Sequence, residues 1–392
     1  MNKVENTMKD NKTLNKDFLH KEEYNNFDNM NIKAEILKGL YLYGFKKPSD
    51  IQIKGITAIN TGRDCIIQSQ SGTGKTATYL LGVINRINNT SRALIITPTR
   101  ELAKQVYDVA VSICKYSTHT ISLCVGGTEI TNYHDNIVIG TIGRILHMIT
   151  LKKLSINNLS TVVIDEADNM VNEMDNEDMM SVIKLIPNTC QKILISATLT
   201  QYVFNLTDKI MKDPVKILLK NINVKVDIIS QFYVDCEVEE NKFEVLIDLY
   251  NLISTTQAII FCNTISKVTW LAENLASKNF PITVIHGKMS QKERNDIVQE
   301  FRDGKTRLLL TTDLLARGID VPQVNLVICY DLPSDKETYI HRIGRCGRFG
   351  KKGVSISFIK MTDPYDTKLL SRMKHSYNID INEIPDNIDT YL

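Results

Sequence analysis

Short apolar runs recur along this chain between stretches of helical periodicity: "CII" from residue 65, "ALIIT" from 93, "ISLCV" from 121, "IVIG" from 137, "TVVID" from 161 and "KILIS" from 192. Runs that are apolar at every position belong to strands covered on both faces, and sheets of such strands are parallel, with helices on each side. A second series follows the region 218–230: "QAIIFC", "ITVIH", "RLLLTT", "LVICYD" and "VSISFI". The chain therefore reads as α/β, with two tandem parallel-sheet domains. The first is expected over residues 27–217 and the second over 230–392, joined by a linker at 218–229.

A length of 392 residues suits two or three domains of about 150 residues each. The formal charge of +2 does not mark a bulk polyanion binder, so a nucleic-acid site must be a local cleft. No apolar run approaches the ~20 residues of a membrane span. Residues 1–26 are rich in Asn, Lys and Glu and read as a flexible tail rather than a targeting peptide. The eight cysteines form no CxxC pair and several lie inside strand-like runs, so they are expected as reduced core residues of an intracellular protein, without a zinc site or disulfide frame.

In open parallel sheets, ligands bind outside the carboxyl ends of the strands. The unusual residues of this chain cluster at those ends. After the strand at 65 comes "SQSGTGKT", residues 69–76, in a strand-turn-helix context. The phosphate-loop pattern asks for glycine where Ser69 stands, yet phosphate is bound there by successive backbone N–H groups at a helix N-terminus whatever the first side chain is. Gln70, Ser71, Gly72, Thr73 and Gly74 would supply that backbone, Lys75 would reach the β and γ phosphates, and Thr76 would offer a hydroxyl to Mg²⁺.

Four further motifs end strands in the same half: "PTREL" after 93, "GG" (126–127) after 121, "DEAD" (165–168) after 161 and "SAT" (196–198) after 192. Asp165 is placed to hold Mg²⁺ and Glu166 to polarise an attacking water, while Ser196 and Thr198 are in reach of Asp168 and would carry nucleotide state along the rim. In the second half, "HRIGRCGR" spaces Arg342, Arg345 and Arg348 three apart. On one helical turn they would form a guanidinium cluster for charge developing on a γ-phosphate, with "TTDLLARGID" (311–320) at another strand end.

With these motifs in order, the chain resembles the DEAD-box RNA helicases and, within them, the eukaryotic translation initiation factor 4A group. The likeness runs from about Phe27 to the C-terminus through "YGFKKPSDIQ", "SQSGTGKT", "PTRELA", "GG", "DEAD", "SAT", "FCNT", "QKER", "TTDLLARGID" and "HRIGRCGR". That family tolerates a residue other than glycine at the position of Ser69. The resemblance implies two RecA-like domains of a superfamily 2 helicase that close over ATP, Mg²⁺ and single-stranded RNA or a short RNA duplex. Phe45 would then stack on adenine, Gln52 would hydrogen-bond its edge and Phe27 would support the ring; Gly318 and Asp320 would serve the ATP side, Asp320 at the ribose; Arg345 and Arg348 would act as arginine fingers, and His341 would join the coupling residues. RNA phosphates and 2′-hydroxyls would be held by Thr99, Arg100, Gly127, Thr141 and Arg144 in the first domain and by Asn263, Gly287, Arg294 and Thr312 in the second.

Three departures stand out against the family pattern. "TIGR" has Ile142 in place of proline, Thr200 replaces a common proline, and the segment between Gly127 and Thr141 is shorter, which reads as a trimmed RNA-side helix. The residues leave open an unwinding enzyme, an ATP-gated RNA clamp held closed by a protein scaffold, and an unrelated P-loop enzyme; the last has no use for the motifs of the second half. The chain is expected to be monomeric alone and cytoplasmic rather than nuclear.

Overall fold

The computed structural model describes residues 26–69, 73–88, 90–129, 133–171, 177–218, 229–252, 257–313, 324–346, 353–377 and 379–391. The tail and most of the expected linker lie outside them, as do Gln70, Ser71, Gly72, Gly318, Asp320 and Arg348. The chain divides into two compact units between Lys220 and Asn221.

In the first unit, seven parallel strands run in the order β3-β4-β2-β5-β6-β1-β7. They are β1 (Cys65–Gln68), β2 (Arg92–Thr97), β3 (Ile121–Cys124), β4 (Ile137–Thr141), β5 (Leu159–Ile164), β6 (Gln191–Ser196) and β7 (Val215–Leu218). Successive side chains feed opposite cores, as the pleat requires. Cys65, Ile67, Ala93, Ile95, Val163 and Ile193 join one cluster with residues of the helices Ala34–Tyr43, Asp50–Asn60, Lys75–Arg86 and Arg100–Ile113. Ile66, Leu94, Ile96, Val162, Ile164 and Leu194 join the other with Ile145, Met148, Val182 and Val203. The continuous apolar runs follow from this two-sided cover, each fully buried aliphatic side chain contributing about 1.5–3 kcal/mol.

The second unit repeats the plan in the order β10-β11-β9-β12-β13-β8-β14. Its strands are β8 (Ile229–Asp235), β9 (Ala258–Phe261), β10 (Ile282–Ile285), β11 (Leu308–Thr311), β12 (Leu326–Cys329), β13 (Gly353–Ile359) and β14 (Ile381–Glu383). Ile259 and Phe261 pack to one side of the sheet, Ala258 and Ile260 to the other.

Strands β7, β8 and β14 were not foreseen from the apolar runs, and their positions explain why. β7 and β14 are sheet edges, and β8 lies next to an edge with Ser230, Gln231 and Asp235 in its sequence, so none is apolar at every position. All eight cysteines are buried and none is in a disulfide. Burial pushes the Cys65 thiol up to about 12, as for a packing group rather than a nucleophile. Among the described residues, no helix is long and apolar enough to cross a membrane, and no group of three or more His, Cys, Asp or Glu could hold a metal ion.

Candidate functional site

The carboxyl ends of the first sheet form a rim on which the strand order separates two groups of residues. Around β1, β5 and β6 lie the phosphate loop, the acids and Ser196; around β2, β3 and β4 lie Thr99, Gly127 and Thr141.

Ser69 follows β1 and is buried, its N–H donating to the Ser196 carbonyl at 3.2 Å. Its hydroxyl meets the Thr73 hydroxyl at 2.5 Å, so the residue that departs from the loop pattern ties the two ends of the loop together. Gly74 begins the helix Lys75–Arg86 with φ +96°, a conformation that disfavours a side chain, and a Cβ there would lie 2.6 Å from Gln52 Nε2. Lys75 donates from Nζ to the Ser69 carbonyl.

Asp165 sits one residue beyond β5 and is 3% exposed. Burial, then the neighbouring Glu166 charge, pushes its carboxyl up to about 6. Two donors hold it: the Tyr79 hydroxyl at 2.7 Å on Oδ2 and the Glu166 N–H at 2.9 Å on Oδ1. Burial foremost, and then the Asp165 charge, hold the Tyr79 phenol well above its ordinary range, so it remains a donor. Glu166 adopts the left-handed region (φ 50°, ψ 51°), a strained position of order 1–3 kcal/mol of the kind that gathers at functional sites. Its carboxylate accepts from Asn169 Nδ2 at 2.8 Å.

Asp168 accepts from both the N–H and the hydroxyl of Thr198, at 2.9 and 2.8 Å. Ser196 behaves differently from the sequence expectation: its hydroxyl donates to the Thr198 carbonyl at 2.6 Å and reaches Asp168 by way of Thr198. The turn after β6 curls back on itself, which sets that partner. The β5 and β6 ends are nonetheless joined by this chain of hydrogen bonds.

Phe27 is fully buried, edge-on to Phe45 at 6.3 Å, and Phe45 stacks on Tyr43 at 5.6 Å. Gln52 caps the helix Asp50–Asn60, its Oε1 accepting from the Ser49 N–H at 2.8 Å, while the Ser49 hydroxyl donates to the Thr73 carbonyl at 3.0 Å. The glutamine is thus fastened to the phosphate loop.

On the other side of the rim, Thr99 caps the helix Arg100–Ile113, accepting from the Leu102 N–H at 3.2 Å. Arg100 lies against the glycine pair: a Cβ on Gly126 would be 2.6 Å from its Nη2, and Gly127 has φ +89°. Arg144, from the helix after β4, donates to the Thr128 carbonyl at 2.7 Å. Two guanidiniums therefore converge on the turn after β3. Ile142 is the first residue of its helix, where a proline would be favoured for its fixed φ but is not needed. Thr200 accepts from the Val203 N–H at 3.3 Å, a cap that proline could not make. Between β3 and β4 the described residues contain no helix.

In the second unit, Asn263, Gly287 and Thr312 follow β9, β10 and β11 on one rim, and Arg294 on the helix Gln291–Arg302 is 8% exposed. The arginine cluster needs correction. The helix Lys336–Ile343 ends before Arg345 with Gly344 as its cap, and Arg345 follows in a single turn, its N–H donating to the Arg342 carbonyl at 3.1 Å. Arg342 is fully buried and paired to Asp313 by Nε at 2.6 Å and Nη2 at 3.1 Å; it also donates to the Asp331 carbonyl at 2.6 Å and to Asn263 Oδ1 at 2.7 Å. It is a tie between strand ends, its guanidinium taken up by Asp313, Asp331 and Asn263. His341 is buried beside it, and Arg345 is 4% exposed.

Two residues, Asp331 in the second unit and Tyr79 in the first, escaped the sequence reading. Asp331 receives the Asn263 N–H at 3.0 Å and Lys267 Nζ at 2.8 Å, with buried Lys242 at 3.5 Å. Its signal was available, since it is an acid just beyond an apolar strand in the same sense as Asp165. Tyr79 was hidden because its helix is apolar around it.

Together the fold and this rim define a tandem α/β protein of the phosphate-loop nucleotide-binding class. Residues 49–206 match the DEAD/DEAH box helicase family and residues 241–350 the helicase conserved C-terminal domain. The chain is 45% identical over 372 residues to the ATP-dependent RNA helicase eIF4A of Mycosarcoma maydis, covering 93% of this chain and 90% of that protein. It is 46% identical over 372 residues to the eukaryotic initiation factor 4A of Dictyostelium discoideum, covering 92% and 91%. The solved structure of S. cerevisiae Dbp5 bound to RNA and ADP BeF3 is similar with a TM-score of 0.87 at 36% identity, covering 93% of this chain and 97% of that one. The chain belongs to the DEAD/DEAH box helicase family.

Proposed function

We propose that this chain is an ATP-dependent RNA helicase that binds single-stranded RNA and locally unwinds short duplexes. The observation that carries the reading is the division of one strand-end rim into a phosphate loop with Asp165 and Glu166 on one side, where Asp168 and Thr198 tie the β5 and β6 ends together, and a two-arginine, two-glycine turn on the other. Relatives named as ATP-dependent RNA helicases and a neighbour bound to RNA and ADP BeF3 support it.

In this reading Lys75 neutralises the β and γ phosphates, Glu166 takes the proton of the attacking water, and Arg345 and Arg348 stabilise charge on the transferred phosphoryl group. The donor set fits magnesium: Asp165 and Thr76 are hard oxygen ligands, and one carboxylate suffices because Mg²⁺ is typically completed by substrate phosphates and waters. When bound, the ion would neutralise phosphate charge. Gly287 gives independent support on the RNA side. Among the described residues a Cβ there would meet nothing within 4 Å, so none of them requires glycine, whereas a phosphate approaching the backbone would.

The test compares ATP hydrolysis with no nucleic acid, with single-stranded RNA and with DNA of the same sequence. RNA is expected to stimulate strongly and DNA little, with Lys75→Ala abolishing turnover and Glu166→Gln binding ATP and RNA but stalling. Equal stimulation by DNA would count against a 2′-hydroxyl-reading rim. Strand displacement on a short RNA duplex separates unwinding from a clamp that only holds.

Selectivity for adenine rests on Gln52. Its Oε1 and Nε2 together can pair with the adenine amino group and a ring acceptor, while guanine offers an acceptor where adenine offers that donor. An unpaired buried polar group costs about 1–3 kcal/mol, so ATP should be preferred over GTP by roughly tenfold to a hundredfold and Gln52→Ala should erase the preference. Comparable use of both nucleotides by the parent protein would leave Gln52 only its capping role.

We place the activity in the cytoplasm, in translation initiation, on the strength of two relatives named for initiation factor 4A. Exclusion of the tagged protein from capped-mRNA complexes in cell extract would sink that assignment.

A further inference from the structure

Tyr79 lies three residues after Thr76 and four after Lys75 on the helix Lys75–Arg86, which puts it on the same face as both. It is fully buried, in a cluster of hydrophobic side chains, where phenylalanine would fill the ring's volume without bringing a polar atom. A hydroxyl in such a place is tolerated only with a partner. The Tyr79 hydroxyl donates to Asp165 Oδ2 at 2.7 Å and also hydrogen-bonds the Thr76 side chain, while Asp165 Oδ1 takes the Glu166 N–H at 2.9 Å. The two oxygens are therefore held by donors from different elements, one from the phosphate-loop helix and one from the turn after β5. That arrangement fixes the plane of the carboxylate relative to Lys75 and Thr76.

We propose that Tyr79 is a positioning residue for Asp165, locking the carboxylate in the orientation that meets a magnesium-bound nucleotide and linking that orientation to the phosphate-loop helix. The inference rests on the nucleotide-binding reading above. Groups that hydrogen-bond a metal-ligating side chain are worth about 10–100-fold in metal affinity when removed. Tyr79→Phe deletes the hydroxyl and keeps the ring.

The experiment titrates MgCl2 into the full chain with a fluorescent ADP analogue, for the parent and for Tyr79→Phe, alongside binding in excess EDTA. The magnesium half-point is expected to rise about 10–100-fold in the variant, with affinity in EDTA unchanged within about twofold because Lys75 and the loop backbone remain. In an Asp165→Asn background, Tyr79→Phe should add nothing, since the tyrosine acts through that carboxylate. If Tyr79 only packs, Tyr79→Phe will shift the thermal midpoint and leave the magnesium half-point where it was, which overturns the proposal. An equal shift in the Asp165→Asn background overturns it as well. A parent protein that binds the analogue at no magnesium concentration overturns the nucleotide reading, and this inference with it.

Discussion

A double variant, Arg345→Ala with Arg348→Ala, is expected to lose about 10³–10⁵ of RNA-stimulated ATP turnover while its KM for ATP changes only a few-fold. The size follows from what arginine fingers supply to phosphoryl transfer, where charge on the transferred group develops only in the transition state. Arg345 stands immediately after Gly344, which closes the helix Lys336–Ile343, and its N–H donates to the Arg342 carbonyl at 3.1 Å. The following residue, Cys346, bridges to Val324. The backbone that carries Arg345 is thus fixed on both sides, which favours a preorganised cation over a freely moving one. The check is kcat under saturating RNA for parent, single and double variants. Turnover of the double variant within tenfold of the parent would remove both arginines from the chemistry.

How much of this was readable beforehand depended on what each residue's role is made of. Both central sheets were legible because two-sided burial leaves a direct mark on sequence, an unbroken apolar run. The edge strand β14, with Asn382 and Glu383 exposed, leaves no such mark. The placement of "SQSGTGKT", the acids and "SAT" at strand ends could be read because each directly follows or closes an apolar run. Arg342 was misjudged for the opposite reason. A spacing of three invites a helical reading, but the helix stops at Ile343, and the residues that claim the guanidinium, Asp313, Asp331 and Asn263, are 29, 11 and 79 positions away. Ser196 erred on a smaller scale, since the local fold of a turn decides between two acceptors a few ångströms apart. Tyr79 needed the packing of one helix against β5, which no window of sequence contains.

Arg342→Ala is expected to destabilise the second unit by about 3–5 kcal/mol, an effect on folding where the effect proposed for Arg345 is on chemistry. The guanidinium is fully buried and serves four acceptor contacts: both Asp313 oxygens, the Asp331 carbonyl and Asn263 Oδ1. Its loss removes a donor from the carbonyl of Asp331, which is buried, while exposed Asn263 can turn to water. Asp313, whose side chain is 34% exposed, can recover some hydration, so the lower end of the range is favoured. Arg342→Lys should rescue less than half, because one ammonium cannot reproduce a planar fork that reaches three residues. Asp313→Ala should be comparably damaging, and the double variant should cost less than the sum, the mark of a direct pair. The chain offers a built-in probe: its single tryptophan, Trp270, is in this unit and packs edge-on to Phe243 at 5.8 Å. Urea unfolding followed by its fluorescence reports the second unit alone, and with a slope of about 2 kcal/mol per molar the midpoint should fall by roughly 1.5–2.5 M. A midpoint within about 0.3 M of the parent, on that same slope, would mean that the buried pair stabilises nothing and that Arg342 is held there for its reach to Asn263.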